Sequence, residues 1–503
     1  MEIIIIFLAF FVRLLPRLIR PDKTESDTWY HLSSSVSIYK NAYSLPGAND
    51  GYLLKGRYDY PFFSHWIVAV LLRDKILRFE RFIGPTVDTI YIIIGFIYFQ
   101  HCLEFYNVED ADSKGMYFLL LLTFSITMLK VSTGPRVYSF TPRVFGEFFS
   151  FLFFMFLHLF SMNGNSVYLV GAVVSGGLAL STSKFAAQVL LFFSILLSVI
   201  LTDFIPVTIL LLSMVSAIVF SKGHYLRVAK QQLKHMYKYA IYGQYHHPAL
   251  KTRNKFAQYV LFMKSIFRKD FLKAYSLFQN DLVFLNIIYK NLDVTFALIV
   301  ICIFPIEQIY IKWILIMGFI MFILTAYKPL QFLGEPDRYL DYLVVFSVAI
   351  LVWYLPVYII NIILVIEIIL YMITLVLYLK SSNNYGKEFL LAMQYIKENV
   401  IDKEKYTIHG ILGMYINYPL YVLTNVNALA IEANYVFELA NDKKLMPIDT
   451  VYTNDFEYLY SKYGVNIIVA NKRYLTQNMK YDFSHYKLFY ENTEYIVYIR
   501  KQI

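Results

Sequence analysis

A chain of 503 residues that is 58% hydrophobic and only 16% charged is too apolar for a water-soluble globule and reads as an integral membrane protein. Its formal charge of +10 fits loops lying beside anionic lipid better than a nucleic-acid face, so nucleic acid is set aside as a partner. The 45 Tyr and 43 Phe fit interfacial belts, and the two cysteines, Cys102 and Cys302, lie in apolar runs, which excludes a disulfide framework and a thiolate metal site.

Residues 3–19 are almost wholly apolar apart from Arg13 and Arg17, about long enough to cross a bilayer, and Pro21 and Asp22 stop them. With no small-residue cleavage site behind it, this run is expected to stay as an anchor. Then comes Glu25-Ser26-Asp27-Thr28-Trp29-Tyr30-His31, which sets two carboxylates, two aromatics and an imidazole at headgroup depth. A base that must meet a sugar carried on an isoprenoid phosphate belongs at this depth, because the tail lies in the bilayer and the reacting carbon just outside it. Composition alone reads the same residues as a solvated turn that caps the next helix, with Trp29 and Tyr30 as interfacial aromatics.

The run RLLP at Arg13 to Pro16, followed by ESDTWYH at Glu25 to His31, resembles the start of the polytopic family C glycosyltransferases, most of all the catalytic subunit of oligosaccharyltransferase. In that group an E-x-D motif and an aromatic pair follow the first span at the mouth of the first external loop. The resemblance implies that Asp27 is the general base or a metal ligand, that Glu25 shapes the acidic pocket, and that Trp29, Tyr30 and His31 contact substrate.

Residues 32–60 read as a helical piece and a loop marked by Pro46-Gly47 and Asn49-Asp50-Gly51. From Arg57 to Leu72 the apolar core is too short to span, and Arg73, Asp74, Lys75, Arg78, Glu80 and Arg81 suggest an amphipathic helix along the interface. Tyr60-Pro61 with His65-Trp66 resembles a Tyr-Pro-Pro-Leu-x-x-Trp segment of the family's first loop, with Phe62 in place of the second proline. His65 then either holds a substrate phosphate or acceptor, or is an amphipathic neighbour of Trp66.

Spans are expected at 83–103 and 115–129, and the loop after them carries Arg136, Arg143 and Glu147 before the apolar run 148–160. Arg143 to Gly146, then Glu147, resembles the family's R-x-x-x-G pattern with its second-loop metal acid, here one residue early. The resemblance implies a divalent metal, Mg or Mn, on Asp27 and Glu147. Equally, Glu147 pairs with Arg143 at a helix start. Further spans fall at 166–181, 185–201 and 204–220; Lys184, between two of them, either touches a donor phosphate or snorkels. The basic stretch 221–281 reads as amphipathic helices on an anionic face, and His246-His247 within it lacks a third ligand nearby.

Runs at 282–306 and 311–327 lead to KPLQFLGEPDRYLDYLVVF, where Glu335, Asp337, Arg338 and Asp341 crowd a helix entry with Pro336 as a first helical residue. Arg338 beside Tyr339 makes a phosphate seat, as the family's late-span arginine does, or Arg338 pairs with Glu335 or Asp341. Two spans follow within 341–379, broken near Pro356. After 381–384 the composition becomes that of a soluble domain, with helices expected at 386–399, 427–440 and 454–463 and strands at 407–412, 465–470, 487–490 and 495–499. Its 455–470 stretch resembles the tail domains of the family, but no Trp follows Trp353, so the Trp-Trp-Asp acceptor motif is absent.

The expected fold is thus a polytopic α-helical membrane protein of about eleven spans, family C-like, with a small C-terminal α/β domain. Residues 1–380 would form the transmembrane glycosyltransferase domain with a large first external loop at 20–82, and 381–503 an extracytoplasmic domain. The expected activity is inverting transfer of a sugar from a polyprenyl phosphate or diphosphate to a glycan, lipid or protein acceptor on the outer face of a plasma membrane; the enrichment in Ile, Lys, Asn and Tyr points to a prokaryote. The catalytic residues would be Asp27, Glu25 and Glu147, with Arg338, Tyr339, Arg143 and Lys184 at the donor phosphate and His31, Trp29, Tyr30 and His65 at the substrate. A transporter or flippase for lipid-linked sugars, or a non-catalytic accessory protein, is the alternative. The positive-inside rule opposes an outer placement of 221–281, which leaves the side of that stretch open.

Overall fold

The computed structural model describes residues 1–24, 26–54, 56–129, 139–243, 252–380, 385–411, 417–432, 455–475 and 481–501. Glu25, Arg136 and His246-His247 lie outside the described residues. The chain divides into two compact units. One comprises Met1–Ile19, Phe82–Tyr138 and Pro142–Lys380; the other comprises Arg20–Arg81, Ser139–Thr141 and Ser381–Ile503.

The first unit is helical. Each of the eleven apolar runs expected to span holds a helix, but length and hydropathy qualify fewer of them. Among the described residues five helices are long and apolar enough to cross a membrane: Phe63–Phe105, Pro142–Asn163, Lys184–Leu201, Ile309–Ala326 and Val357–Lys380. The number rises to seven if two bent pairs, Ile205–Phe220 with His224–Ile241 and Val283–Lys290 with Leu292–Ile303, each count as one span. The first helix, Glu2–Ile19, carries Glu2, Arg13 and Arg17 within its 18 residues. The expected span at 115–129 is broken, because Ala111–Phe124 ends at Ser125 and a four-residue turn, Ile126–Leu129, follows.

Charged side chains satisfy the backbone at these irregularities, as an apolar interior requires. Buried Arg13 donates to the Leu122 and Thr123 carbonyls, each at 3.1 Å, which the end of the Ala111–Phe124 helix leaves without helical partners. Its charge is met by Asp88, with Nε to Oδ2 at 3.3 Å. Beyond the break, the Glu367 carboxylate accepts from the Ile126 amide at 2.7 Å, and Asp293 accepts from the Ser125 and Thr127 hydroxyls. Pro16 has no N–H for the Val12 carbonyl four residues earlier, and the Tyr371 hydroxyl donates to it instead at 2.9 Å. Small residues allow close helix contact: a Cβ on Gly146 would lie 2.5 Å from the Ser183 Cβ, and one on Gly176 would lie 2.3 Å from the Ser213 Oγ.

The second unit holds a five-stranded sheet of order β2-β1-β3-β5-β4, with β1 Thr407–Ile411, β2 Asn427–Ala428, β3 Val465–Asn471, β4 Tyr486–Glu491 and β5 Tyr495–Arg500. Strand β1 pairs parallel to β2 and β3, whereas β3, β5 and β4 run antiparallel in turn. The helices Lys387–Asn399 and Phe456–Tyr463 fall where the apolar period puts them. The helix expected from 427 does not begin there: Asn427–Ala428 is a strand, because its backbone is taken by β1 on one side and by the first loop on the other. Ala428 N donates to the Gly51 carbonyl at 2.8 Å, and Leu53 N and Leu54 N donate to the Ala428 and Ala430 carbonyls at 3.2 and 3.1 Å. The first loop therefore extends the edge of the tail sheet. The expected interfacial helix over 57–81 is instead a helix from Phe63 that runs on through Arg73–Lys75 into Ile76–Phe105, with Glu80 buried.

Candidate functional site

In the membrane unit, basic side chains from three separated segments converge. Pro142 opens the Pro142–Asn163 helix and places Arg143 in its first turn, and the Gly146–Ser183 contact brings this helix against the start of Lys184–Leu201. There the Arg143 guanidinium lies 5.4 Å from the centroid of the Phe185 ring. The Arg338 guanidinium lies 5.5 Å from the same centroid, so one aromatic ring carries two guanidiniums. Lys184 immediately precedes that ring.

Arg338 is buried and paired. Its Nε meets Glu335 Oε2 at 2.9 Å and its NH1 meets Asp341 Oδ2 at 3.6 Å. Burial works to raise the Glu335 carboxyl, but Arg338, with Arg253 and Arg143 beyond it, holds it down to about 2. Burial would likewise lower Arg338, yet Glu335, Asp341 and Asp337 raise it, so it stays a firm cation. Lys328 is lowered by burial and by Lys255 and Arg253, which marks a concentration of positive charge along this loop. Arg253 and Lys255 come from the basic stretch read as facing lipid; part of that stretch is thus gathered to the Glu335–Arg338 loop. Tyr339 is buried against Phe193, and its hydroxyl donates to the Leu333 carbonyl at 2.7 Å, which secures the loop. Glu147 is buried in the second turn of the Pro142–Asn163 helix.

The other unit carries the acidic-aromatic motif. Ser26–Lys40 is a helix with Asp27 exposed in its first turn. Trp29, Tyr30 and His31 are buried, not displayed at an interface. Trp29 meets Tyr385 edge-on at 6.3 Å. His31 Nδ1 lies 2.9 Å from His65 Nε2, and His65 Nδ1 lies 2.7 Å from the Tyr58 hydroxyl. With both ring nitrogens engaged and no exposure, His65 is an interior link and not an amphipathic surface residue.

At the centre of this unit stands Glu432, a residue the sequence reading did not single out. Its Oε2 accepts from the Tyr30 hydroxyl at 3.0 Å and from Asn49 Nδ2 at 3.1 Å, and its Oε1 accepts from the Asn49 amide. Asn49 Nδ2 also donates to Ser34 Oγ at 3.1 Å, which returns the network to the Ser26–Lys40 helix. Burial pushes the Glu432 carboxyl up to about 7, Asp59 adds to the rise, and the bonds from Asn49 and Tyr30 oppose it. The available signal was a lone carboxylate directly after the apolar run Ala428 to Ile431.

Among the described residues, no three His, Cys, Asp or Glu side chains gather closely enough to hold a metal ion. Asp27 and Glu147 belong to different units, and Glu25 lies outside the described residues. The donors seen here do not by themselves compose a metal centre.

This architecture resembles the fold of the polytopic family C glycosyltransferases. The oligosaccharyltransferase of Archaeoglobus fulgidus, solved in complex with Zn and sulfate, shares the fold with a TM-score of 0.55 at 11% identity, over 99% of this chain and 73% of that one. ArnT of Cupriavidus metallidurans, solved bound to undecaprenyl phosphate and in the apo state, aligns over 99% of this chain and 97% of its own at 10% identity, with a TM-score of 0.48. No protein-family model and no curated protein matches the sequence.

Proposed function

We propose that this protein is a membrane glycosyltransferase that moves a sugar from a polyprenyl phosphate or diphosphate onto a glycan, lipid or protein acceptor at the outer face of a membrane. The observation that carries this reading is the pair of guanidiniums on Phe185 at the ends of apolar helices. Planar guanidiniums match phosphate oxygens, and a nearby helix start adds free N–H groups, while the apolar helices suit an isoprenoid tail. Arg338 keeps its charge under burial because Glu335 and Asp341 sit beside it, so the seat is preorganised.

In the reaction, Asp27 accepts the proton of the incoming nucleophile as that atom attacks the anomeric carbon, and Glu25 and Glu147 are the further catalytic candidates. The bond from that carbon to the phosphate oxygen breaks, and its electron pair leaves on the phosphate, whose charge Arg338, Arg143 and Lys184 balance. A single displacement inverts the anomeric centre. A divalent cation, which the resemblance implies, would supply further charge stabilisation, and the transfer written above balances on the chain's own residues.

Arg338→Ala and Arg143→Ala should each raise the KM for a polyprenyl-phosphate sugar by about tenfold or more, the scale of one charge-assisted contact. A KM unchanged in both variants contradicts the phosphate seat. A second reading, binding of lipid-linked sugars without transfer, draws on buried Asp293 and Glu367, which bond to the helix break at Ser125–Ile126, since transporters also place ionisable groups at broken helices. Saturable donor binding with no transfer by the purified chain would favour it.

A further inference from the structure

We infer that Glu432 is a positioning residue: by accepting from Tyr30 and Asn49 it fixes the helix that carries Asp27, and its ionisation controls how that helix is held. The inference rests on the transfer reading above and deepens it by naming a pH-dependent control.

The geometry is specific. Glu432 is 2% exposed, and three donors converge on its two oxygens. One comes from the Ser26–Lys40 helix, three residues after Asp27, and two come from Asn49 in the first loop. Backbone bonds between residues 51–54 and 428–430 anchor the same loop beside it. Gly56 packs on the Glu432 side chain, where a Cβ would come within 3.1 Å of it. The titratable groups that face Glu432 are Tyr30, Tyr52, Tyr58 and Asp59 from the first-loop segments and Tyr418, on which Asp27 also acts, from the short helix Tyr418–Thr424. Burial keeps these tyrosines well above their ordinary range, so they stay neutral donors, and Glu432 is the member that titrates near neutrality.

Two consequences have opposite signs. As a carboxylate, Glu432 accepts all three donors; on protonation it loses an acceptor site and one donor must turn away, so transfer falls as pH drops below about 7. Stability runs the other way. Folding raises this carboxyl above its ordinary range, so between that range and about 7 the unfolded chain holds fewer protons, and stability declines as pH rises.

The test titrates Trp29 emission of the full chain in detergent from pH 5 to 9, with Trp29→Phe identifying the signal, beside transfer of radiolabelled sugar from a polyprenyl phosphate. The wild type should show an inflection near 7 in both. Glu432→Gln should lose it in both and transfer about tenfold more slowly at pH 8. Glu432→Asp, which keeps the carboxyl, should retain an inflection at a shifted midpoint, and it serves if the Gln form does not fold. An inflection unchanged in Glu432→Gln, or an emission inflection with a flat transfer profile, overturns the inference. If no transfer is detected under any condition, the transfer reading fails while the emission titration still decides whether Glu432 holds the helix.

Discussion

Buried ionic side chains in this chain act on the backbone as much as on one another. Arg13, within the RLLP run, is fully buried and touches Asp88 while capping the carbonyls that end another helix. Removing one partner of such a pair leaves a charge without compensation where water is scarce. Asp88→Ala should therefore lower stability by about 3 kcal/mol, seen as a fall in thermal midpoint in detergent. An unchanged midpoint would mean that the Leu122 and Thr123 carbonyls suffice for the guanidinium. The same economy holds at Glu335, where the Arg338 charge outweighs burial and keeps the carboxyl ionised.

At the scale of elements, the contact of Pro142–Asn163 with Lys184–Leu201 decides where Arg143 and Phe185 stand. Gly146→Ala would put a Cβ 2.5 Å from the Ser183 Cβ and force the helices apart. Overpacking of this kind costs about 1–3 kcal/mol, and donor KM should rise along with a lower thermal midpoint. A variant with wild-type KM would detach the seat from this contact. The apolar runs were legible because a helix in lipid needs little beyond length and hydropathy, and the tail strands were legible as short runs rich in β-branched and aromatic residues. The break at Ser125 was not, because its satisfaction comes from Arg13, Asp293 and Glu367, far away in sequence. The strand at Asn427–Ala428 was hidden for a related reason: a first-loop segment and β1 claim its backbone, and no local propensity records that.

For the whole molecule, Asp27 to His31 and the tail strands are parts of one compact unit, joined by backbone bonds at 51–54 and by Glu432. The phosphate-binding candidates Arg143, Lys184 and Arg338 belong to the other unit. Short-range pattern singled out candidates in both units but not Phe185 and Glu432, because each of these is defined by what packs on it. The fold resembles that of a solved family C glycosyltransferase, and the sugar and acceptor are left to experiment. The most direct test of the central claim is transfer of radiolabelled sugar from a panel of polyprenyl-phosphate donors by purified wild type and Asp27→Asn, with and without chelator. The account predicts transfer by the wild type and its loss in a correctly inserted Asp27→Asn protein; loss on chelation would show that transfer also needs a divalent cation. Undiminished transfer by Asp27→Asn would contradict the account and move the chemistry away from the first-loop helix.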